Sequence, residues 1–280
     1  MQYKKISHNI DIPTIGMGTW EMGGGIEPNY DNDVKDISAI RKAIELGITH
    51  IDTAEKYGDG HSEELVGEAI KDFDRSKLFI TTKVAKNNCA YNDVLAAINR
   101  SLLRLGTSYV DLYLIHAPSL EIPFSETMKA MDFLVEEGKI KLVGVSNFSV
   151  KQIQEAQKYS KYKIVANQIE YNLITRNNGQ YTPNVEVEII PYCQANDILI
   201  IAYRPFAKGM LLSNEINILN DLAKKYQKTP AQIALNWLIS KKGVVAIPKA
   251  SNFKHIKENL GAVGWEMEQA DINKLDNFKS

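Results

Sequence analysis

The chain has 280 residues, 44% of them hydrophobic and 24% charged, and a formal net charge of −1. This balance describes a globular protein with ample core and gives no electrostatic reason to expect nucleic acid or an anionic membrane as partner. No apolar run approaches the ~20 residues that span a bilayer, and Lys4, Lys5, His8, Asn9 and Asp11 interrupt any signal-like core, so a cytoplasmic location is expected. Cys89 and Cys193 match no metal or redox spacing, and two reduced thiols with no metal site are expected.

Residues 2–12 read as a short hairpin turning at Ser7-His8-Asn9. Short apolar runs then alternate with amphipathic segments. Strands are expected at Thr14–Met17, Thr49–Ile51, Leu78–Thr82, Asp111–Ile115, Leu142–Val145, Val165–Ile169, Leu199–Ala202 and Val244–Ile247. Several are apolar at consecutive positions, as strands covered on both faces should be. Helices are expected near 34–46, 62–72, 91–105, 125–137, 149–159, 184–196, 215–240 and 252–260. The stretch 215–240 is overlong and interrupted at Thr229-Pro230, which predicts two helices. Ser62, Ser149 and Thr229 suit helix starts, and Gly47, Gly106 and Gly138 suit left-handed helix ends. Eight βα units without a linker predict an α/β protein, a closed (β/α)8 TIM barrel forming one domain over 1–280. An open doubly wound sheet is the competing topology, which alternation leaves open.

Four polar residues stand where apolar runs end. Asp52 follows Gly47–Ile51 with Tyr57 five residues on, Lys83 follows Leu78–Thr82, and His116 follows Tyr109–Ile115. Singly, these read as a helix cap, a buried aromatic, a surface lysine and a loop histidine. In a parallel barrel, however, the C-terminal strand ends converge on one mouth. There the set can protonate a carbonyl oxygen. A free tyrosine is a sluggish acid at neutral pH, a neighbouring ammonium is expected to lower its pKa, and a carboxylate would keep that ammonium charged. The imidazole would hydrogen-bond the carbonyl oxygen.

The stretches Asp52-Thr-Ala-Glu-Lys-Tyr57-Gly58, Thr82-Lys83, Ile115-His116, Gly144-Val-Ser146-Asn147-Phe148, Asn167-Gln168-Ile-Glu170-Tyr171-Asn172 and Ile247-Pro248-Lys249 occur in this order. In them the chain resembles the aldo-keto reductases, from about residue 10 to about residue 260. The resemblance implies a barrel plugged at its bottom by the N-terminal hairpin. It also implies NADPH-dependent reduction of small aldehydes, aldoses or ketones, with Tyr57 as general acid beside Asp52, Lys83 and His116.

No Gly-x-Gly-x-x-Gly fingerprint is present, since Gly16-Met-Gly18-Thr-Trp-Glu21 ends in glutamate, so a nicotinamide must use the barrel mouth. The resemblance places Ser146, Asn147 and Gln168 on the carboxamide, with Asp52 alongside, and Tyr203 stacked on the ring. Gly18 and Thr19 would approach the pyrophosphate, Arg204 would contact phosphate beside Pro205 and Phe206, and Lys249 would meet the 2′-phosphate. Ala250 and His255 depart from a serine and an arginine usual there, with Ser251, Asn252 and the helix start near 252 as compensation. Glu258 and Asn259 complete that set. NADPH is therefore expected, with NADH possible. Trp20, Tyr57, His116 and Phe148 would line the substrate pocket, which Ala117 and a short C-terminal end leave open to small carbonyl compounds. Gly23–Gly25 reads as a flexible lid, and a monomer is the default for this architecture. Two other readings are a non-catalytic NADPH-sensing regulatory barrel and a cofactor-free Schiff-base enzyme at Lys83. Asp52 opposes the second by raising the lysine pKa.

Overall fold

The computed structural model describes residues 1–213 and 216–278. Its first elements are the expected hairpin, β1 (Tyr3–Ser7) and β2 (Ile10–Pro13), paired antiparallel. Eight mutually parallel strands follow: β3 (Met17–Gly18), β4 (His50–Asp52), β5 (Phe79–Val84), β6 (Val110–Ile115), β7 (Ile140–Ser146), β8 (Ile164–Glu170), β9 (Leu199–Tyr203) and β10 (Val244–Ala246). Each pairs with its sequence neighbour. A parallel bridge between Ile15 and Ala246 returns the last strand to the first, with Gly16 N–H donating to the Ala246 carbonyl and Ala246 N–H to that of Thr14, both at 2.9 Å. The sheet is therefore a closed barrel and not an open doubly wound sheet.

The helices are α1 (Asp33–Glu45), α2 (His61–Ile70), α3 (Tyr91–Leu105), α4 (Phe124–Glu136), α5 (Val150–Gln157), α6 (Ile190–Ala195), α7 (Asn217–Tyr226), α8 (Pro230–Ser240), α9 (Phe253–Leu260) and α10 (Gln269–Asp276). The overlong stretch divides as expected, although its first residue, 215, lies outside the described residues. Pro230 opens α8, where Thr229 and Gln232 form a reciprocal capping box; Ser149 and Gln152 do the same for α5. Gly47, Gly106 and Gly138 all take positive φ, as anticipated. Ser62 is a correction. The helix it was expected to cap begins at His61, and Ser62 is buried against the hydroxyls of Thr19 and Thr53. Helix α10 was not anticipated, because its apolar signal is only Ile272 and Leu275. It is held by polar contacts, with Asp271 accepting from Lys225 and Tyr226, and Asp276 from the Trp237 indole.

Two cores result from the alternation of side chains along each strand. Between barrel and helices lie Ile51, Ile80, Tyr113, Ile115, Val143 and Val145 with the apolar helix faces. Inside the barrel lie Phe79, Leu112, Leu114, Leu142, Leu199, Ile201 and Val245, joined by Ile6 and Ile12 of the hairpin, which plugs the lower end. The Lys4 ammonium pins that plug by donating to the carbonyls of Ile239, Lys241 and Val244 at 2.6–2.7 Å. The interior leaves no room at Gly144, where a Cβ would meet Leu114 Cδ2 at 2.5 Å and the Ala166 carbonyl at 3.1 Å. Gly144→Ala should cost about 1–3 kcal/mol of stability, read as a lower urea midpoint. No helix among the described residues is long and apolar enough to cross a membrane.

Candidate active site

The last inward positions of adjacent strands place charge on top of this apolar interior. β4 ends on Asp52, β5 carries Lys83 one residue before its end, and the turn after β4 returns Tyr57 over both. That turn contains Gly58 at φ 54°, where a Cβ would lie 2.3 Å from the Gly23 carbonyl oxygen, so only glycine allows the close approach. Lys83 is 0% exposed. Its ammonium donates to Asp52 Oδ1 at 2.6 Å, the Thr53 carbonyl at 2.7 Å and the Tyr57 hydroxyl oxygen at 3.2 Å. Three protons meet three acceptors, and because Tyr57 accepts, its own proton remains to be given elsewhere. Gln168 Nε2 donates to Asp52 Oδ2 at 2.7 Å, so both carboxylate oxygens are held. The Tyr57 ring lies edge-on between Trp20, at 4.9 Å between centroids, and His116, at 5.5 Å.

Electrostatics assign resting states to these groups. Burial penalises the Lys83 ammonium, but Asp52 and the Tyr57 oxygen together outweigh it and hold the pKa above the usual lysine value. Tyr57 corrects the expectation of a lowered pKa. Burial raises it, and although Lys83 acts in the anticipated downward direction, the net position is above the ordinary tyrosine value. Tyr57 therefore rests as a phenol at neutral pH, with its proton in place. Burial, reinforced by the Lys83 and Lys56 charges, pushes His116 down to about 3. The imidazole is neutral, and its Nδ1 is buried with no partner among the described residues.

His50, two residues below Asp52 in the barrel interior, is likewise pushed down to about 3 by burial and then by Lys83. An unfolded histidine takes up a proton near pH 6.5, whereas these two stay neutral in the fold. Between about pH 6.5 and 3 the unfolded state thus binds more protons, so stability falls as pH falls, by on the order of 4 kcal/mol per histidine at the lower limit. His50→Gln should lose about 2–3 kcal/mol less than the wild type between pH 7 and 4.5. Urea midpoints at the two pH values check this.

A second ring of polar groups follows β7, β8 and β9. Asn147, at φ 62°, donates to the His116 carbonyl and to Ser146 Oγ, both at 3.1 Å, and accepts from the Tyr203 hydroxyl at 2.9 Å. Ser146 Oγ donates to the Gln168 carbonyl at 2.9 Å. Ser146, Asn147, Gln168 and Tyr203 are thus brought together beside Asp52. Gly18 and Thr19 lie at the same rim, but their backbone N–H groups already donate to the Pro248 and Asp52 carbonyls, so they hold the barrel closed and offer no donor to a phosphate. Arg204 reaches Glu170 at 3.4 Å, with Pro205 buried and Phe206 half-buried beyond it.

Lys249 follows β10 and pairs with Glu21 at 3.3 Å. Asn252 caps α9 by accepting from His255 N–H at 2.9 Å. Ser251 and Glu258 are half-buried nearby, whereas Asn259 is buried on the inner face of α9. Phe148 is a further correction. The left-handed turn at Asn147 sends it outward, where it is 0% exposed against Phe124 and does not line the mouth. Nor is Gly23–Gly25 a free lid. Gly23 N–H donates to Asp36, Gly58 N–H to the Gly25 carbonyl, and Met22 is buried between. Cys89 and Cys193 are free and buried, both thiols pushed up to about 12 by burial. The Thr53 carbonyl left no signal in the sequence, being backbone. Glu170 lay inside a quoted motif but gained meaning only from Arg204 opposite.

The closed parallel barrel thus holds a phenol against a buried ammonium in its mouth. The chain belongs to the aldo/keto reductase family, whose sequence pattern it matches over residues 14–280. It is 36% identical to the methylglyoxal reductase of Escherichia coli, across 99% of this chain and 95% of that one. A thermostable aldo-keto reductase solved with the inhibitor epalrestat superposes with a TM-score of 0.92 at 41% identity, over 99% of both chains. An aldo-keto reductase from Klebsiella pneumoniae, solved with NADPH, superposes with a TM-score of 0.85 at 34% identity, over 95% of this chain and 90% of that one. The protein is accordingly an oxidoreductase of the carbonyl-reducing kind.

Proposed function

We propose that this chain reduces small aldehydes, aldoses or ketones to alcohols with NADPH, and that Tyr57 is the general acid. The observation that carries the reading is the Lys83 ammonium shared between Asp52 and the Tyr57 hydroxyl. The mouth suits a nicotinamide. The half-buried Tyr203 ring stands beside the amides of Asn147 and Gln168, and Lys249 and Arg204 supply positive charge at the rim. The bound cofactor would supply hydride to the carbonyl carbon.

The remaining chemistry belongs to the chain. His116, as a neutral imidazole, hydrogen-bonds the carbonyl oxygen and fixes it against Tyr57. Tyr57 gives its proton to that oxygen, leaving alcohol and a phenolate, and Lys83 at 3.2 Å stabilises the phenolate until solvent returns the proton. Asp52 keeps Lys83 charged and aimed, and Gln168 keeps Asp52 aimed. The named activity of the Escherichia coli relative supports a small dicarbonyl among the substrates. Phe148 being withdrawn into the core leaves the pocket to Trp20, Tyr57 and His116, with Ala117 small beside them.

Tryptophan-fluorescence titrations with NADPH and NADH, followed by turnover of a panel including methylglyoxal, test the proposal. Quenching by both, with NADPH tighter, and oxidation of NADPH in the presence of an aldehyde are expected. Tight NADPH binding with no turnover across the panel would remove the catalytic reading.

A further inference from the structure

Besides Arg204 with Glu170, the mouth holds an ion pair that the reduction chemistry does not use. Lys249 lies in the loop after β10, the eighth barrel strand, and α9 begins four residues later. In this architecture that loop and the start of the short helix beyond it form the usual phosphate-binding corner. In the present structure the lysine faces Glu21, whose carboxylate oxygen is 3.3 Å from Nζ. Glu21 comes from the loop after the first barrel strand, which barrel closure sets beside the eighth.

The Glu21 backbone has little freedom to withdraw. It sits at φ 65° in a tight turn, bridged antiparallel to Gly24. Met22 beside it is 0% exposed, its N–H donating to the Thr19 carbonyl at 2.8 Å, and Gly23 N–H donates to Asp36 at 3.3 Å. A phosphate gripped by Lys249 would meet a carboxylate that can leave only by side-chain rotation, and two anions on one ammonium repel.

We propose that Glu21 is a selectivity residue of the cofactor site. It competes for Lys249 with the phosphate that distinguishes NADPH from NADH, and so narrows the preference between the two. The proposal rests on the reading of Lys249 as the residue that meets that phosphate. It adds to the replacement of arginine by His255 a second reason for weak discrimination, one that acts by competition for a cation already present.

Dissociation constants for NADPH and NADH, measured by tryptophan quenching at low salt on the full chain, test it. Glu21→Gln should raise the NADPH preference at least threefold, chiefly through tighter NADPH binding, and the gain should shrink in 0.5 M salt, which screens exposed charges. In a Lys249→Met background the same change should leave the preference where it is. An unchanged or reduced preference in Glu21→Gln would overturn the proposal, showing that the carboxylate merely positions the lysine. A Lys249→Met protein with undiminished NADPH preference would instead overturn the underlying phosphate reading. Glu21 is exposed, and Glu21→Asp, which keeps the charge on a shorter stem, should give an intermediate preference.

Discussion

A Tyr57→Phe protein should bind NADPH as tightly as the wild type and reduce aldehydes more slowly by about 10³-fold or more. General acid catalysis by a positioned side chain contributes roughly 10²–10⁴-fold, and three features place Tyr57 at the upper end. Its oxygen accepts from Lys83 at 3.2 Å, so the charge that develops on losing the proton meets an ammonium already in place. That ammonium is surrounded by protein, with little water to screen it. Burial also keeps the phenol protonated at rest, so no fraction of the enzyme waits without its proton. Removing one oxygen leaves the ring between Trp20 and His116 intact, so folding and cofactor affinity should survive. Single-turnover measurements separate the loss from any effect on binding. A Tyr57→Phe enzyme with wild-type kcat would assign the proton to another donor.

The second large effect concerns the ion pair beneath. Lys83→Met leaves the Asp52 carboxylate 1% exposed and without its counter-charge, and Asp52→Leu leaves an equally buried ammonium. Breaking one partner of a buried pair typically costs about 3–5 kcal/mol, whereas replacing both with apolar groups is often neutral. Each single variant should therefore unfold at markedly lower urea and lose activity. The double variant Lys83→Met with Asp52→Leu should regain most of the stability and none of the activity. That divergence distinguishes a pair retained for chemistry from one retained for folding. Recovery of turnover alongside stability would show that neither charge serves the reaction.

The legible part of this protein was whatever repeats or stands in line. Eight apolar runs spaced by amphipathic helices predict the barrel, and the strand centres lie within a residue or two of those runs because each buried strand carries consecutive apolar residues, as in Phe79-Ile80, Leu112–Ile115 and Ile164–Ala166. Capping residues marked the starts of α5 and α8 because a hydroxyl three residues before a glutamine satisfies backbone locally. Ser62 failed by the same rule, since its hydroxyl found tertiary partners in Thr19 and Thr53 that no local reading reveals. Helix α10 carries little local signal because Asp271 and Asp276 hold it through residues up to 46 positions away.

Within the site, the sequence by itself determined which groups are available: a carboxylate, an ammonium and an imidazole at the C-terminal ends of apolar runs, and a phenol in the turn after the first of these, in a fold that gathers those ends. Tertiary structure alone decided how they are arranged. Which acceptors take the three Lys83 protons, that Phe148 turns outward after Asn147, that Tyr57 keeps its proton and that Glu21 holds Lys249 all depend on distances across the barrel. A strand pattern records which face a residue occupies. Burial and charge, which set proton affinity, come from neighbours contributed by other strands, and those are assembled only when the barrel closes.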